Sequence, residues 1–548
     1  MLVKGIKFIC YILVVFIVVI SVLIVLQTKF NVPVTAYIEK ILSGPEEEKT
    51  AVSLNVKEWL DKGEKLKKSG DYEEAVDAFS KIIESNQNSP TAYAGRGSAY
   101  MQWERYDKAV DDLTKAIELD PKSAGAYADR GSVYFTQENY DRAIDDLTKA
   151  IDLNPKSLKS YTRRGFIYLK QKNYDRAVDD LTAAIRLDPE SEGTHASRGL
   201  AYLRLGQYLR ATEDLTTALD KNPINTEVYY NRGLALMELG RSQEAINDLN
   251  KVTELLPISD AKVYSSRGLA YLKEKNYDRA LGDLTRAIEL HSKSAGDYAN
   301  RAFIYLKLGN FKKAVQDLTK AITLAPKSVA AYANRGFAYL KLGNLQKAVS
   351  DFSRAVELNP KSAEPYANRG LAYFKLGNVK GAFKDLNRAI ELNPDSAVAF
   401  ANRGFAYGNN PNKYNQAVSD LDKALELNHK LADAYASRGF VYATKPGNSK
   451  KAIDDLNRAI ELDPKPAEAY ASRGIVYGRD FGNYEQAIDD LTSAIELGPK
   501  SPAIYYDRGI TYHRMKQYEK AFQDIKTAAR MDYQKAKDFL KKRGMTWR

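Results

Sequence analysis

The dipeptide Arg-Gly returns along this chain at a nearly constant interval, and that interval restricts the fold more than any other feature of the sequence. Its arginines are Arg96, Arg130, Arg164, Arg198, Arg232, Arg267, Arg335, Arg369, Arg403, Arg438, Arg473 and Arg508. Arg301-Ala302 fills the one gap and Lys62-Gly63 adds a unit at the N-terminal side, so steps of 34 or 35 residues define 14 units. A chain of 548 residues would otherwise be divided into about three or four globular domains. A unit this short cannot bury its own apolar faces, and it gains stability only by stacking on its neighbours.

Each unit reads as two packed helices. In repeat 9, Tyr332, Gly336 and Tyr339 fall at i, i+4 and i+7, which is one helical face, and Ala348, Phe352 and Ala355 repeat that spacing in a second segment. Gly343-Asn344 between them is turn chemistry, and Pro360 ends the second helix because its ring cannot continue the hydrogen-bond ladder. The equivalent of Ala348 is Ala in all 14 units, from Ala75 to Ala521, as expected where two helix axes come close.

This spaced set of aromatic, Gly, Tyr, Ala, Ala and Pro residues resembles the tetratricopeptide repeat, over residues from about 56 to 531. The resemblance implies an all-α chain: a right-handed superhelix (α-solenoid) of about 14 helix-turn-helix repeats. The first helices would line its concave side, which holds proteins or peptides. Three departures stand out. The family's usual Leu before the Gly is Arg here, repeats 11 to 13 carry one extra residue in the inner turn, and His291-Ser292 stands where other units end in Pro. The extra residues lead one to expect a change of groove pitch.

Outside the repeats, Phe8 to Leu26 is a run of 19 residues without a charge, long enough as a helix to span a bilayer core, and it lacks the small-residue cleavage site of a signal peptide. The expected organisation is a tail at 1–7, a transmembrane helix at 8–26, a linker at 27–54, the repeat array at 55–532, and a capping helix with a basic tail at 533–548. Lys4 and Lys7 bias the N-terminus toward the cytoplasm, which would make the repeats extracytoplasmic, or periplasmic in a bacterium.

Charge and composition argue against other classes. Of the net charge of +12, residues 534–548 carry +5 and residues 1–50 carry +1, which leaves too weak a balance over the array for a nucleic-acid surface. The single Cys10 permits no intrachain disulfide. His195, His291, His429 and His513 belong to repeats 5, 7, 11 and 14, never neighbours in a stack, so no shared metal site is expected. No Gly-rich loop suited to phosphate follows a strand, and paired carboxylates such as Asp111-Asp112 recur as architecture. No enzyme, metal or cofactor is expected.

Those recurring Asp residues have an expected structural partner. Asp112, Asp351 and their equivalents lie 16 or 17 residues after the Arg of the same repeat. Repeat 1 lacks both members, having Lys62 and Ala78. Pairing within repeats gives 13 complete pairs, such as Arg96 with Asp112 and Arg335 with Asp351, and strands neither member.

The face expected to specify activity lies on the first helices of repeats 8 to 11. Phe303, Phe337, Leu371 and Phe405 fall two residues after the Arg; Lys307, Lys341 and Lys375 fall six after it; Asn300, Asn334, Asn368 and Asn402 stand just before it. The apolar residues either pack on adjacent first helices or remain open to a ligand. A row of amides, each both donor and acceptor, suits a peptide backbone. It looks like the asparagine ladder in the repeat arm of O-linked N-acetylglucosamine transferases, with the transferase domain absent. A clamp for chaperone C-termini would need polar and basic residues where Ala299, Phe303, Ala333 and Phe337 stand. The expected function is a membrane-anchored scaffold for unidentified proteins or peptides. The alternatives are a self-assembling structural protein, or an import or secretion receptor resembling the anchored repeat receptors of mitochondria.

Overall fold

The computed structural model describes residues 46–256, 260–291, 293–464, 467–498 and 501–547, which form two units divided after Leu256. Within each unit, antiparallel helix pairs follow one another as a solenoid, and no strand occurs among the described residues. Repeat 9 is representative, with a first helix at Val329–Lys341 and a second at Leu345–Leu358.

The helix pair closes on its small residues. Ala348, Phe352 and Ala355 are fully buried, and a Cβ on Gly336 would stand 2.8 Å from the Phe352 ring, so only glycine admits that aromatic. In most other units Leu takes the place of Phe352 and meets the equivalent glycine in the same way, as Leu386 meets Gly370. Burying one such side chain contributes about 1.5–3 kcal/mol, which the repeat multiplies along the stack.

The inner turn needs one residue in the left-handed region. Gly343 supplies it at φ +77°, its N–H donating to the Leu340 carbonyl and the next N–H, of Asn344, donating to the Tyr339 carbonyl. These two hydrogen bonds cap the end of the first helix. Glu104, Glu138, Lys172, Lys275 and Lys516 hold the same position at φ between 57° and 62°, so the turn is imposed by packing even without glycine.

The extra residue of repeats 11 and 13 is taken up locally, as a 3₁₀ turn at Pro411–Lys413 and as a π-helical turn at Tyr477–Phe481. Around these turns the first helices also carry small residues, Gly408, Ala443 and Gly478, five positions after the Arg. A Cβ on Gly408 would collide with Val441 of the next first helix. Side chains fill the loosened helix ends: Arg479 Nη2 donates to the Ala443 carbonyl at 2.6 Å, and Arg514 Nη1 to the Gly478 carbonyl at 2.9 Å.

A short helix, Gln534–Lys541, covers the last pair with Ala536 and Leu540, both fully buried. Phe539 lies edge-on to Tyr506 and His513, with the Arg543 guanidinium 3.7 Å above its ring centre. At this junction burial pushes the Asp507 carboxyl up to about 6, against the opposing pull of Lys535. The folded state therefore favours the protonated acid, and the destabilisation is fully present above pH 6 and is relieved as pH falls toward the ordinary value of about 4. Asp507→Asn is expected to stabilise the C-terminal repeats by about 1–2 kcal/mol at pH 8 and by little at pH 4, in urea denaturation compared at the two pH values. An equal gain at both would show that the carboxyl is not desolvated.

One expectation is overturned. A single-pass topology with a cytoplasmic N-terminus and extracytoplasmic repeats is not supported, because no helix among the described residues is long and apolar enough to cross a membrane. These helices are amphipathic, with one buried stripe and charged residues on the remaining surface, whereas a span needs about 20 consecutive apolar residues. The run Phe8 to Leu26 and residues 27–45 of the linker that follows it lie outside the described residues, whereas residues 46–54 of that linker form the start of the helix Glu46–Ser69.

Candidate functional site: the first-helix face

The face is built on a lattice of arginines. In 13 repeats the Arg Nε and Nη2 donate side by side to the two carboxylate oxygens of the same repeat's Asp, at 2.6 to 3.0 Å. The Asp is buried in every case. Pairing within the repeat is only part of the arrangement, because Nη1 reaches back to the second helix of the preceding repeat. Arg96 donates to Ser80, Arg335 to Thr319 at 3.1 Å, Arg403 to Asn387 and Arg438 to Asp422 at 2.6 Å. Most of these guanidinium groups also lie over a first-helix tyrosine, as Arg335 does over Tyr332 and Tyr339, and Arg403 lies over Phe400. The Asp hydrogen bond outweighs desolvation and holds Arg335 above its ordinary pKa, so the cation is secure at any physiological pH. One arginine thus joins both helices of its repeat and the repeat before.

On this frame the apolar stripe is mostly closed. Phe337 and Leu371 pack on the core around Leu340, Phe352 and Ala372. Phe405 is half-buried and meets Phe374 edge-on, with ring centres 5.8 Å apart. Phe303 alone among these four is exposed, at 37%. The amide row is also partly engaged: Asn368 is buried, and Asn402 donates to the Ala367 carbonyl at 3.1 Å, which leaves Asn300 and Asn334 half-buried along the face.

The lysines lie over the aromatic stripe. Lys307 stands 5.1 Å above Phe303, Lys341 5.5 Å above Phe337, and Lys375 5.8 Å above Phe405 of the next repeat. Lys341 also reaches Asp433 at 3.5 Å, and Lys375 reaches Glu468 at 4.0 Å, residues three repeats further on. Sequence reasoning missed both acids. They are the second residues of their first helices, and only the stacking of repeats 9 to 13 brings them across.

The histidines sit apart in ordinary repeat positions. His195 Nδ1 lies 3.2 Å from Asp214, within an arginine pair, and its Nε2 lies 3.1 Å from the Pro189 carbonyl.

Paired helices repeated at this interval, closed on Gly and Ala and joined in series by side-chain bonds, define a helical-repeat protein. The chain belongs to the tetratricopeptide repeat family: sequence models of that repeat match residues 90–123, 124–157, 158–191, 197–257, 268–332, 318–350, 338–377, 370–410, 432–466, 479–516 and 502–535. No match was found among curated proteins. Similar solved structures include the Cut9–Hcn1 hetero-tetramer of the APC/C, at 17% identity over 86% of this chain and 97% of that one, TM-score 0.39. Yeast Tom70 is 18% identical over 87% and 96%, TM-score 0.32. YrrB, described as a tetratricopeptide repeat protein with an unusual peptide-binding site, is 22% identical over 37% and 99%, TM-score 0.33.

Proposed function

We propose that this chain is a non-catalytic protein-binding scaffold that takes a polypeptide segment along the first-helix face of repeats 8 to 10. The observation that carries this reading is Phe303, a large aromatic left 37% exposed between the half-buried Asn300 and the exposed Lys307. An apolar anchor, a backbone-directed amide and a cation stand there within two turns of one helix. The preferred ligand has an apolar side chain for Phe303 and acidic residues for the lysines. The Lys341–Asp433 and Lys375–Glu468 pairs support this, because they are long, solvent-exposed pairs in which carboxylates already meet these lysines, and exposed pairs of this kind exchange at small cost.

The test is selection of a random peptide library on the full chain. Enriched peptides are expected to combine a bulky apolar residue with Asp or Glu, and to lose binding as salt is raised. No enrichment, or enriched peptides that bind a Phe303→Ala variant with unchanged affinity, would remove the face of repeats 8 to 10 as the site.

A further inference from the structure

Repeat 10 departs from a pattern kept by repeats 8 and 9 before it. In nine repeats the third residue of the second helix is a Lys or Arg whose charge lies 5.4 to 5.8 Å from the centre of a first-helix tyrosine ring, as Lys313 lies over Tyr305 and Lys347 over Tyr339. Repeat 10 keeps the tyrosine, Tyr373, with the Arg369 guanidinium 5.8 Å from its ring centre, but has Gly381 in place of the second-helix cation. A cleft of about 660 Å³ opens there, lined by Tyr366, Tyr373, Lys384 and Arg388 among others.

The charge of the cleft points to its ligand. Arg369 is committed to Asp385 at 2.6 and 3.0 Å, and Arg388 is paired with Glu391 at 3.0 Å. Lys384 makes no ion pair among the described residues. In the nine repeats with a covered tyrosine, the position of Lys384 is never basic, being Asp111, Gln316 or Ser350, for example. Repeat 10 has therefore lost the second-helix cation beside the ring, keeping only Arg369 there, and gained a lysine on the rim. We propose that this cleft binds a flat anion, an aromatic ring bearing a phosphate or carboxylate, with the ring against Tyr373 in the space a second-helix Lys or Arg takes in other repeats and the anionic group on Lys384. The site is distinct from the peptide face, since Gly381 and Lys384 both stand on the second helix.

The repeat itself supplies the control. A Cβ on Gly381 would press only on the Asn378 side chain, 2.7 Å away. Repeat 8 combines the same capping residue, Asn310, with Lys313, so Gly381→Lys is compatible with the fold and should refill the space. Saturation-transfer NMR on the full chain would use phenyl phosphate, with benzylamine as the cationic counterpart. Phenyl phosphate is expected to bind with Kd on the order of 0.1–1 mM, as a fragment of this size does. Gly381→Lys and Lys384→Gln should each weaken it at least about tenfold while circular dichroism and melting show the array intact, and benzylamine should give no transfer. The proposal fails if phenyl phosphate shows no transfer at millimolar concentration, if Gly381→Lys binds it unchanged, or if benzylamine is preferred.

Discussion

Arg335→Ala is expected to destabilise the repeats around it by about 3–5 kcal/mol, the cost of leaving a buried carboxylate without its partner. Asp351 is 6% exposed and both its oxygens accept from this one guanidinium, at 2.8 Å each, so no neighbour can replace it. The substitution also removes the bond to Thr319 and the cover over Tyr332 and Tyr339. Hydrogen exchange of repeats 8 to 10 would read the effect locally, which suits a stack whose stability is a sum of neighbouring interfaces. Asp351→Ala should cost a similar amount and the double variant much less than the two together. Thr319→Val, which removes only the link to the preceding repeat, should cost about 0.5–1.5 kcal/mol. Additivity of the Arg335 and Asp351 changes would exclude the coupling that their geometry requires.

Phe303→Ala should weaken the peptides selected on the full chain by about 2–3 kcal/mol, roughly thirty- to a hundred-and-fiftyfold, as for a central anchor. Asn300→Ala with Asn334→Ala should add about 0.5–1.5 kcal/mol for each lost hydrogen bond, whereas Asn402→Ala should leave affinity unchanged because its amide is already bonded to Ala367. The lysines should separate by their surroundings. Lys307→Glu should weaken acidic peptides more at low salt than at high. Asp433→Asn should strengthen them slightly by freeing Lys341 from its own counter-charge. Titration of a fluorescent peptide into each variant gives all of these values. Equal losses at Asn300, Asn334 and Asn402 would contradict the division between open and engaged amides.

Much of this architecture is legible without coordinates because it is local and periodic. The interval of the arginines, the Gly and Ala at helix crossings and the turn at Gly343-Asn344 each report a contact made within a few turns of the same unit. Repetition tests each reading in every unit. The Arg335–Asp351 pairing could likewise be argued from spacing, since repeat 1 lacks both members.

What depends on several units at once could not be read this way. The third arm of arginines such as Arg96, Arg335, Arg403 and Arg438, to a Ser, Thr, Asn or Asp of the preceding repeat, is set by how neighbouring units stack. The row of Asn residues looks uniform in sequence, yet close packing buries Asn368 and turns Asn402 onto a backbone carbonyl while Asn300 and Asn334 stay half-buried. Lys341 and Asp433 are 92 residues apart, and only the accumulated stacking of repeats 9 to 12 brings them within 3.5 Å. The sequence by itself therefore determined the helix pairs, their closure and their order, because those follow from contacts at short fixed spacing. Which side chains remain open to a ligand was decided by the tertiary structure, because that depends on contacts that side chains make with other repeats, such as Asn402 with the Ala367 carbonyl and Lys341 with Asp433.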